Sequence, residues 1–262
     1  MKHHITRLGG YDLELPAGDL IARPMAMGEP YEYGLLRLAA ALASDGLFVD
    51  CGAHVGNHSV YLARSGARVV SIEPNPEIRE FLECNVRNNS LEDRVRIIPF
   101  GLWSTSSTGR VERGEPGNTG SSRIIPIPGE GDVDLVALDD LNLAPDVLKI
   151  DVEGLELDVL EGAASTISMH RPAILIEAHD GPSEVTRMLR PFGYRRLGGS
   201  FAPAPTFLFV ARFEHISHAM PFFLKQTALR LARTPRWIAC RTPGLKIFYA
   251  WAQSRPWGAR QR

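Results

Sequence analysis

A glycine turn between two apolar strands is the feature that most constrains the fold of this chain. The first apolar stretch, Phe48 to Asp50, leads into Cys51-Gly52-Ala53-His54-Val55-Gly56-Asn57, and a second stretch, Arg68 to Ile72, ends at Glu73. A strand, a glycine turn, a helix and a strand that ends in a carboxylate form the start of a nucleotide-binding βαβ unit. Glycines in the turn would let a ligand approach the backbone at the N-terminus of the helix.

The position of Asp50 favours one class of nucleotide cofactor. The pattern reads Asp-x-Gly-x-x-x-Gly rather than the Gly-x-Gly-x-x-Gly of a dinucleotide site. A carboxylate at the tip of the strand would repel a pyrophosphate, whereas it suits a cofactor that carries an ammonium and a sulfonium. We therefore predict a site for S-adenosylmethionine. An NAD-dependent oxidoreductase shares the βαβ start and is the alternative.

The rest of the chain continues the alternation of strands and helices. A hairpin at Ile5 to Leu15 and a lead-in helix at Tyr31 to Ala43 precede the glycine turn, and residues 194–212 read as a closing antiparallel pair. This pattern predicts an α/β fold with a doubly wound sheet of about seven strands. We expect three segments: residues 1–44, a cofactor-binding domain at 45–213, and a C-terminal extension at 214–262.

Two further segments carry specific expectations. Residues 104–131 are rich in Ser, Thr, Gly and Pro, which predicts either a flap that faces the substrate or a short hairpin insert. Residues 155–164 predict a single crossover helix after the strand Val147 to Ile150. Polar residues at the carboxyl ends of the strands should gather around one cleft.

A set of short motifs, in this order along residues 45–212, resembles the FkbM family of methyltransferases. The motifs are Val49-Asp50-Cys51-Gly52-Ala53-His54-Val55-Gly56, Ile72-Glu73-Pro74-Asn75, Ser121-Ser122, Leu138-Asp139-Asp140-Leu141, Lys149-Ile150-Asp151-Val152-Glu153-Gly154, Val159-Leu160-Glu161-Gly162-Ala163 and Ile176-Glu177-Ala178-His179. The resemblance implies a class I, Rossmann-like methyltransferase fold. It also implies methyl transfer from S-adenosylmethionine, usually to a hydroxyl of a sugar, glycolipid or glycosylated natural product.

The resemblance also implies roles for individual positions. The turn from Asp50 to Asn57 would hold the methionine part of the cofactor, Glu73 the ribose, and Asn75 the neighbourhood of the adenosine. The residues implied to bind the cofactor are Asp50, Gly52, Ala53, His54, Gly56, Asn57, Glu73, Pro74 and Asn75. His54 stands where such motifs often carry another polar residue, so it receives no individual role.

Asp151 and Glu153 would face the methyl group and the acceptor. A sugar hydroxyl is a weak acid, so its methylation needs a base poised near neutral pH or a metal that acidifies it. His179 is the best-placed imidazole for that base, with a structural histidine as the alternative. Asp151, Glu177 and His179 could together bind a divalent cation, but no spacing signature supports a metal site.

Composition indicates the compartment and divides the chain by charge. Three cysteines without paired spacing, no signal-peptide core and no long apolar run predict a soluble, cytoplasmic protein. Residues 215–262 carry nine basic and no acidic side chains, although the net charge of the whole chain is −1. Interspersed tryptophans and arginines predict a helical extension that binds an anionic membrane surface on the inner face. Packing on the domain or on a second subunit of a homo-oligomer is the alternative. Nucleic-acid binding is not expected.

The sequence leaves one functional alternative besides the oxidoreductase. A non-catalytic binding module could keep the methyltransferase fold and the cofactor motifs without turnover, because cofactor motifs do not prove an acceptor site.

Overall fold

The computed structural model describes residues 3–8, 10–16, 25, 30–115, 118–201 and 204–222. The strands are β1 His3–Leu8, β2 Tyr11–Pro16, β3 Leu47–Cys51, β4 Arg68–Ile72, β5 Val95–Ile98, β6 Gly101–Leu102, β7 Ser107–Glu112, β8 Arg123–Pro126, β9 Val133–Val136, β10 Val147–Ile150, β11 Ala173–Glu177, β12 Arg195–Phe201 and β13 Thr206–Val210. The helices are α1 Tyr33–Ala43, α2 Asn57–Arg64, α3 Pro76–Asn88, α4 Glu156–Glu161, α5 Ala164–His170 and α6 Ser183–Leu189. The contacts divide the chain into two units, 1–215 and 216–262, and the elements above belong to the first.

Seven strands form the central sheet in the order β12-β13-β11-β10-β3-β4-β5. Strands β3, β4, β5, β10 and β11 pair in parallel, and β13 runs antiparallel to both β11 and β12. The predicted seven-stranded sheet with a terminal antiparallel pair is confirmed. Strand order reverses between β3 and β10, and a sheet of this kind binds its ligand at that point, outside the carboxyl ends of the strands.

The central strands are buried on both faces, which explains their continuous apolar sequences. Every residue of β10 and β11 is buried, and so is every residue of β3 after Leu47. Their side chains pack with Val159, Leu160 and other residues of the crossover helices into one core. A rigid sheet of this kind holds the ends of its strands in fixed positions.

The N-terminal hairpin has the predicted form, with β1 and β2 paired antiparallel around residues 9 and 10. It is tied to α3 by Asn85, which is fully buried. Asn85 Oδ1 accepts a hydrogen bond from the Glu14 backbone amide at 2.6 Å, and its Nδ2 donates to the Glu14 carbonyl at 2.9 Å. Helix α3 begins at Pro76, because Asn75 caps the Glu77 amide and proline is favoured at the first helical position.

The insert at residues 104–131 contains a hairpin rather than a structureless loop. Strands β7 and β8 pair antiparallel, and together with β6 and β9 they form a second sheet in the order β6-β9-β7-β8. Strand β5 ends at Ile98, where the chain leaves the central sheet, and the chain joins the second sheet at Gly101.

The prediction of a single helix at residues 155–164 is wrong, because the helix is interrupted there and forms α4 and α5. A Cβ on Gly162 would lie 2.3 Å from the Trp103 carbonyl oxygen, so the break is packed against the start of the insert. Asp139 then caps the new helix, accepting hydrogen bonds from the Ser165 and Thr166 amides at 2.9 and 2.8 Å. The interruption is a tertiary effect that helical periodicity does not reveal.

The predicted membrane-binding extension lies largely outside the described residues. Residues 213–222 are helical, and the basic positions beyond Phe222 are not described. Among the residues that the structure describes, no helix is both long and apolar enough to cross a bilayer.

Candidate active site

A cavity of about 250 Å³ opens at the carboxyl edge of the central sheet, where the strand order reverses. Its walls come from the turn after β3, the end of β4, the insert, the loop after β10 and the segment before α1. The residues that line it are Tyr31, Glu32, Gly52, Ala53, His54, Asn57, His58, Ile72, Glu73, Pro74, Asn75, Ile78, Phe100, Gly101, Leu102, Val111, Asn118, Thr119, Gly120, Ser122, Arg123, Ile124, Lys149, Asp151, Val152, Glu153, Leu155, Glu177 and Ala204.

Most of the residues predicted to bind a cofactor lie on this cavity. They are Gly52, Ala53, His54, Asn57, Glu73, Pro74 and Asn75, and the predicted catalytic residues Asp151 and Glu153 line it as well. Asp50, Gly56 and His179 are not among the lining residues. The carboxyl edge of the sheet thus brings together residues that are about 100 positions apart in the chain.

Asp50 is buried beneath the cavity, contrary to the electrostatic argument that placed its charge at the rim. Its side chain is fully buried, and Ser59 Oγ donates to its Oδ2 at 2.7 Å. Its Oδ1 lies 3.3 Å from Lys149 Nζ, because Lys149 and Asp50 are direct partners in the pairing of β10 with β3. Asp50 therefore neutralises a buried lysine, and the expected repulsion of a pyrophosphate does not come from this residue.

Neighbouring protein atoms leave no room for a side chain at either turn glycine. Gly52 has φ 80°, and a Cβ there would lie 1.8 Å from the Asp151 carbonyl oxygen. Gly56 has φ 89°, and its Cβ would lie 2.6 Å from Leu82 Cδ1. Both glycines let the turn adopt a left-handed backbone and pack tightly, one against the loop after β10 and the other against α3.

Glu73 is held rigidly at the end of β4. Its Oε2 accepts the His54 amide and its Oε1 accepts the Asn75 amide, both at 2.9 Å. Burial raises the pKa of Glu73 to about 7, although these two hydrogen bonds oppose the shift. The carboxyl group links the β3 turn to the start of α3 and keeps its remaining lone pairs for a ligand.

The insert forms the wall of the cavity beside this carboxyl group. His54 Nε2 and Thr119 Oγ1 are 2.7 Å apart, which joins the β3 turn to the insert. Ile78, Phe100, Val111 and Ile124 line the same region. Such an apolar wall beside a fixed carboxyl group suits a flat ring attached to a hydroxylated sugar.

An acidic cluster, Asp151, Glu153 and Glu177, lies at the ends of β10 and β11. Burial and the charge of Asp151 raise the pKa of Glu153 to about 7 and that of Glu177 to about 9. Burial alone would raise the pKa of Asp151, but Lys149 at 3.0 Å and a hydrogen bond from Glu177 lower it. Asp151 is therefore the ionised member, and Glu177 keeps its proton.

Lys149 is the buried cation that holds this arrangement together. Its Nζ lies 3.3 Å from Asp50 and 3.0 Å from Asp151. Burial alone would lower its pKa, but the attraction of these two carboxylates outweighs burial and raises it. The sequence motif around Lys149 does not indicate a role for this residue. The pairing of β10 with β3 shows that Lys149 forms ion pairs with Asp50 and Asp151.

His179 points away from the cavity. Its side chain is 60% exposed, and its Nε2 lies 3.0 Å from Glu177 Oε1. Glu177, which sequence reasoning considered only as a metal ligand, lines the cavity in its place. The contact that the structure gives His179 is therefore with Glu177 and not with the cavity.

Sequence reasoning gave no role in the site to several lining residues, among them Tyr31, Glu32 and His58. The segment before α1 carries no motif, and His58 lies just beyond the glycine turn. Their contribution depends on how α1 packs beside α2, which is a long-range contact.

No cluster of three or more metal-ligating side chains occurs in the ranges that the structure describes. Asp151 and Glu177 share a hydrogen bond, and His179 Nε2 lies 3.0 Å from Glu177 Oε1, so the contacts of these three residues are with one another.

The sheet order and the cavity at its carboxyl edge define a Rossmann-like methyltransferase. The chain belongs to the FkbM methyltransferase family, because residues 50–210 match the family described as Methyltransferase FkbM domain. This confirms the predicted family and enzyme class, and the oxidoreductase alternative loses its support. Membership implies the use of S-adenosylmethionine.

Two relatives and one solved structure are similar to part of this chain. The hexuronic acid methyltransferase AglP from Haloferax volcanii is 28% identical over 170 residues, 60% of this chain and 67% of that protein. The methyltransferase sdnD from Sordaria araneosa is 28% identical over 162 residues, 47% of this chain and 62% of that protein. The crystal structure of the FkbM methyltransferase from Methylobacillus flagellatus aligns with a TM-score of 0.47 and 22% identity, over 62% of this chain and 42% of that chain. The match thus spans from about two-fifths to two-thirds of these proteins.

Proposed function

We propose that this protein is an S-adenosylmethionine-dependent O-methyltransferase that acts on a hydroxyl of a sugar, a glycolipid or a glycosylated natural product. Family membership and the hexuronic acid methyltransferase among its relatives support the reaction and the substrate class. The observation that carries the proposal is the acidic cluster beside the glycine turn, because it puts a carboxyl group with a pKa of about 7 next to the cofactor region.

The described residues fit the cofactor. Glu73 accepts ribose hydroxyls, the turn from Gly52 to Asn57 holds the methionine part, and Asn75 lies beside the adenosine. S-adenosylmethionine supplies an electrophilic methyl group on a cationic sulfur. The carboxyl groups around the cavity, and not the buried Asp50, favour such a cation.

The acidic cluster lies where the acceptor would approach. Glu73 and Asp151 follow strands on opposite sides of β3, and two strand spacings separate their ends by about 10 Å. The acceptor hydroxyl must lose a proton as the methyl group is transferred, and Glu153 is the base whose pKa matches neutral pH. Asp151, fixed by Lys149, and Glu177, backed by His179, position the hydroxyl.

Cofactor binding is tested by isothermal titration with S-adenosylhomocysteine. Glu73→Gln should weaken binding roughly 10- to 100-fold, because a hydrogen bond to a charged group contributes about 1.5–3 kcal/mol. Glu80→Gln, on the exposed side of α3, is the matched control and should bind like the wild type. Equal affinities of all three proteins would remove Glu73 from the ribose site.

Turnover is tested separately with radiolabelled S-adenosylmethionine and a panel of neutral, acidic and amino sugars and their lipid-linked forms. Label transferred to a sugar hydroxyl supports the proposal. A protein that binds the cofactor tightly and transfers no label to any member of the panel would instead be a binding module.

A further inference from the structure

The segment before α1 meets the start of α2 at two points on the cavity wall. Asn57 Nδ2 donates a hydrogen bond to the Tyr31 carbonyl at 2.9 Å. One residue further along each segment, Glu32 Oε2 lies 3.6 Å from His58 Nε2. Tyr31 thus contacts Asn57, and Glu32 contacts His58. These two contacts hold the segment before α1 against the turn that is proposed to bind the methionine part of the cofactor.

These contacts leave a buried hydrogen-bond acceptor, Asn57 Oδ1, on a residue that lines the cavity. Because Asn57 Nδ2 is used by Tyr31, the amide orientation is set and Oδ1 remains as the acceptor. Asn57 and His58 are each 6% exposed, and within the described residues neither Asn57 Oδ1 nor His58 Nε2 has a hydrogen-bond partner. A buried acceptor without a donor is costly, so the presence of Asn57 Oδ1 in a residue of the cavity wall points to a donor supplied by a ligand.

The charges around these acceptors select a cation. The Glu32 side chain is 6% exposed and has only His58 as a close charged partner among the described residues. Burial lowers the pKa of His58 to about 3, so its ring is neutral and does not compensate Glu32. The nearby ammonium of Lys149 is already held between Asp50 and Asp151.

We propose that Glu32 and Asn57 bind the α-ammonium group of the methionine part of S-adenosylmethionine, and that neutral His58 positions the Glu32 carboxylate. This inference rests on the proposed cofactor. It gives the segment before α1 a role in ligand binding, beyond that of packing on the sheet.

The test compares two ligands that differ only at this group. S-adenosylhomocysteine and its deamino analogue, in which hydrogen replaces the ammonium, are titrated calorimetrically into wild-type protein, Glu32→Gln and the control Glu80→Gln, without acceptor. Wild type and Glu80→Gln should prefer S-adenosylhomocysteine at least tenfold. Glu32→Gln should retain its affinity for the analogue and lose most of this preference.

An unchanged preference in Glu32→Gln would overturn the inference while leaving the proposed function intact. If neither ligand bound to the wild type, the cofactor assignment would fail, and this site with it.

A pH series on the wild type gives a second readout that needs no variant. Burial raises the pKa of Glu32 to about 7; Lys149 opposes the shift, and Asp151 and Asp50 add to it. An ammonium prefers the ionised carboxylate, so affinity for S-adenosylhomocysteine should fall as the pH drops from 8 to 5.5. His58 stays neutral in this range, and any effect of Glu73 is common to both ligands. Because Glu73 also titrates near pH 7 and acts on both ligands, the ratio of the two affinities isolates Glu32, and a ratio that does not change with pH would contradict the assignment.

Discussion

Glu153 combines a strained backbone with a raised pKa at the edge of the cavity. Its φ of 53° lies in the left-handed region, which costs a non-glycine residue on the order of 1–2 kcal/mol. Strain of this kind concentrates at functional sites, where the surrounding structure holds it in place.

The pKa of Glu153 predicts the pH dependence of the reaction. A base works when it is deprotonated, so kcat at saturating cofactor and acceptor should rise with pH through about 7. Glu153→Gln should remove this inflection and lower kcat by roughly 10²- to 10⁴-fold. Glu161→Gln, exposed on α4, is the control for a lost carboxylate. A Glu153→Gln protein with the wild-type pH profile would rule out the base assignment.

The pair formed by Lys149 and Asp50 predicts a change in stability. Lys149→Met leaves the fully buried Asp50 without its cation, and the free energy of unfolding should fall by roughly 3–5 kcal/mol. The double variant Asp50→Asn/Lys149→Met removes both charges and should recover part of that loss. Urea denaturation at pH 7 measures both values, and a double variant no more stable than Lys149→Met would refute the pairing.

At the scale of the elements, the turn between β3 and α2 depends on close packing with the loop after β10. Gly52→Ala adds a Cβ 1.8 Å from the Asp151 carbonyl oxygen, in addition to the cost of a positive φ. Gly66→Ala carries the cost of its positive φ alone, because nothing lies within 4 Å of its Cβ. Gly52→Ala should therefore lower the melting temperature clearly more than Gly66→Ala. Equal shifts in differential scanning fluorimetry would mean that the two loops are not in contact.

At the scale of the whole molecule, the acidic catalytic unit and the basic C-terminal residues predict different partners. A triple change, Arg230→Gln/Arg233→Gln/Arg236→Gln, should weaken binding to anionic liposomes by roughly 3 kcal/mol, about a hundredfold. Co-sedimentation measures this effect, with zwitterionic liposomes as the control. Equal pelleting of both proteins would argue against a membrane role for residues 214–262.

Local patterns were sufficient to predict most elements of the fold. Apolar stretches, glycine turns and helix-start residues such as Asn75 and Pro76 indicate the alternation of strands and helices from β3 to β5 and from β10 to β13. These signals depend on neighbours within a few residues. The break between α4 and α5 was not predictable, because its cause is the Trp103 carbonyl, about 60 positions earlier in the chain.

By itself, the sequence determined the order of the elements and the family, and it gathered Glu73, Asp151 and Glu153 at one edge, because the carboxyl ends of parallel strands meet. Only the tertiary structure decided which charges face the cavity. It buried Asp50 against Lys149, turned His179 outward and brought Glu32 to the wall. The reason is physical: side-chain burial and ion pairing depend on contacts between distant segments, and those contacts exist only once the sheet has assembled.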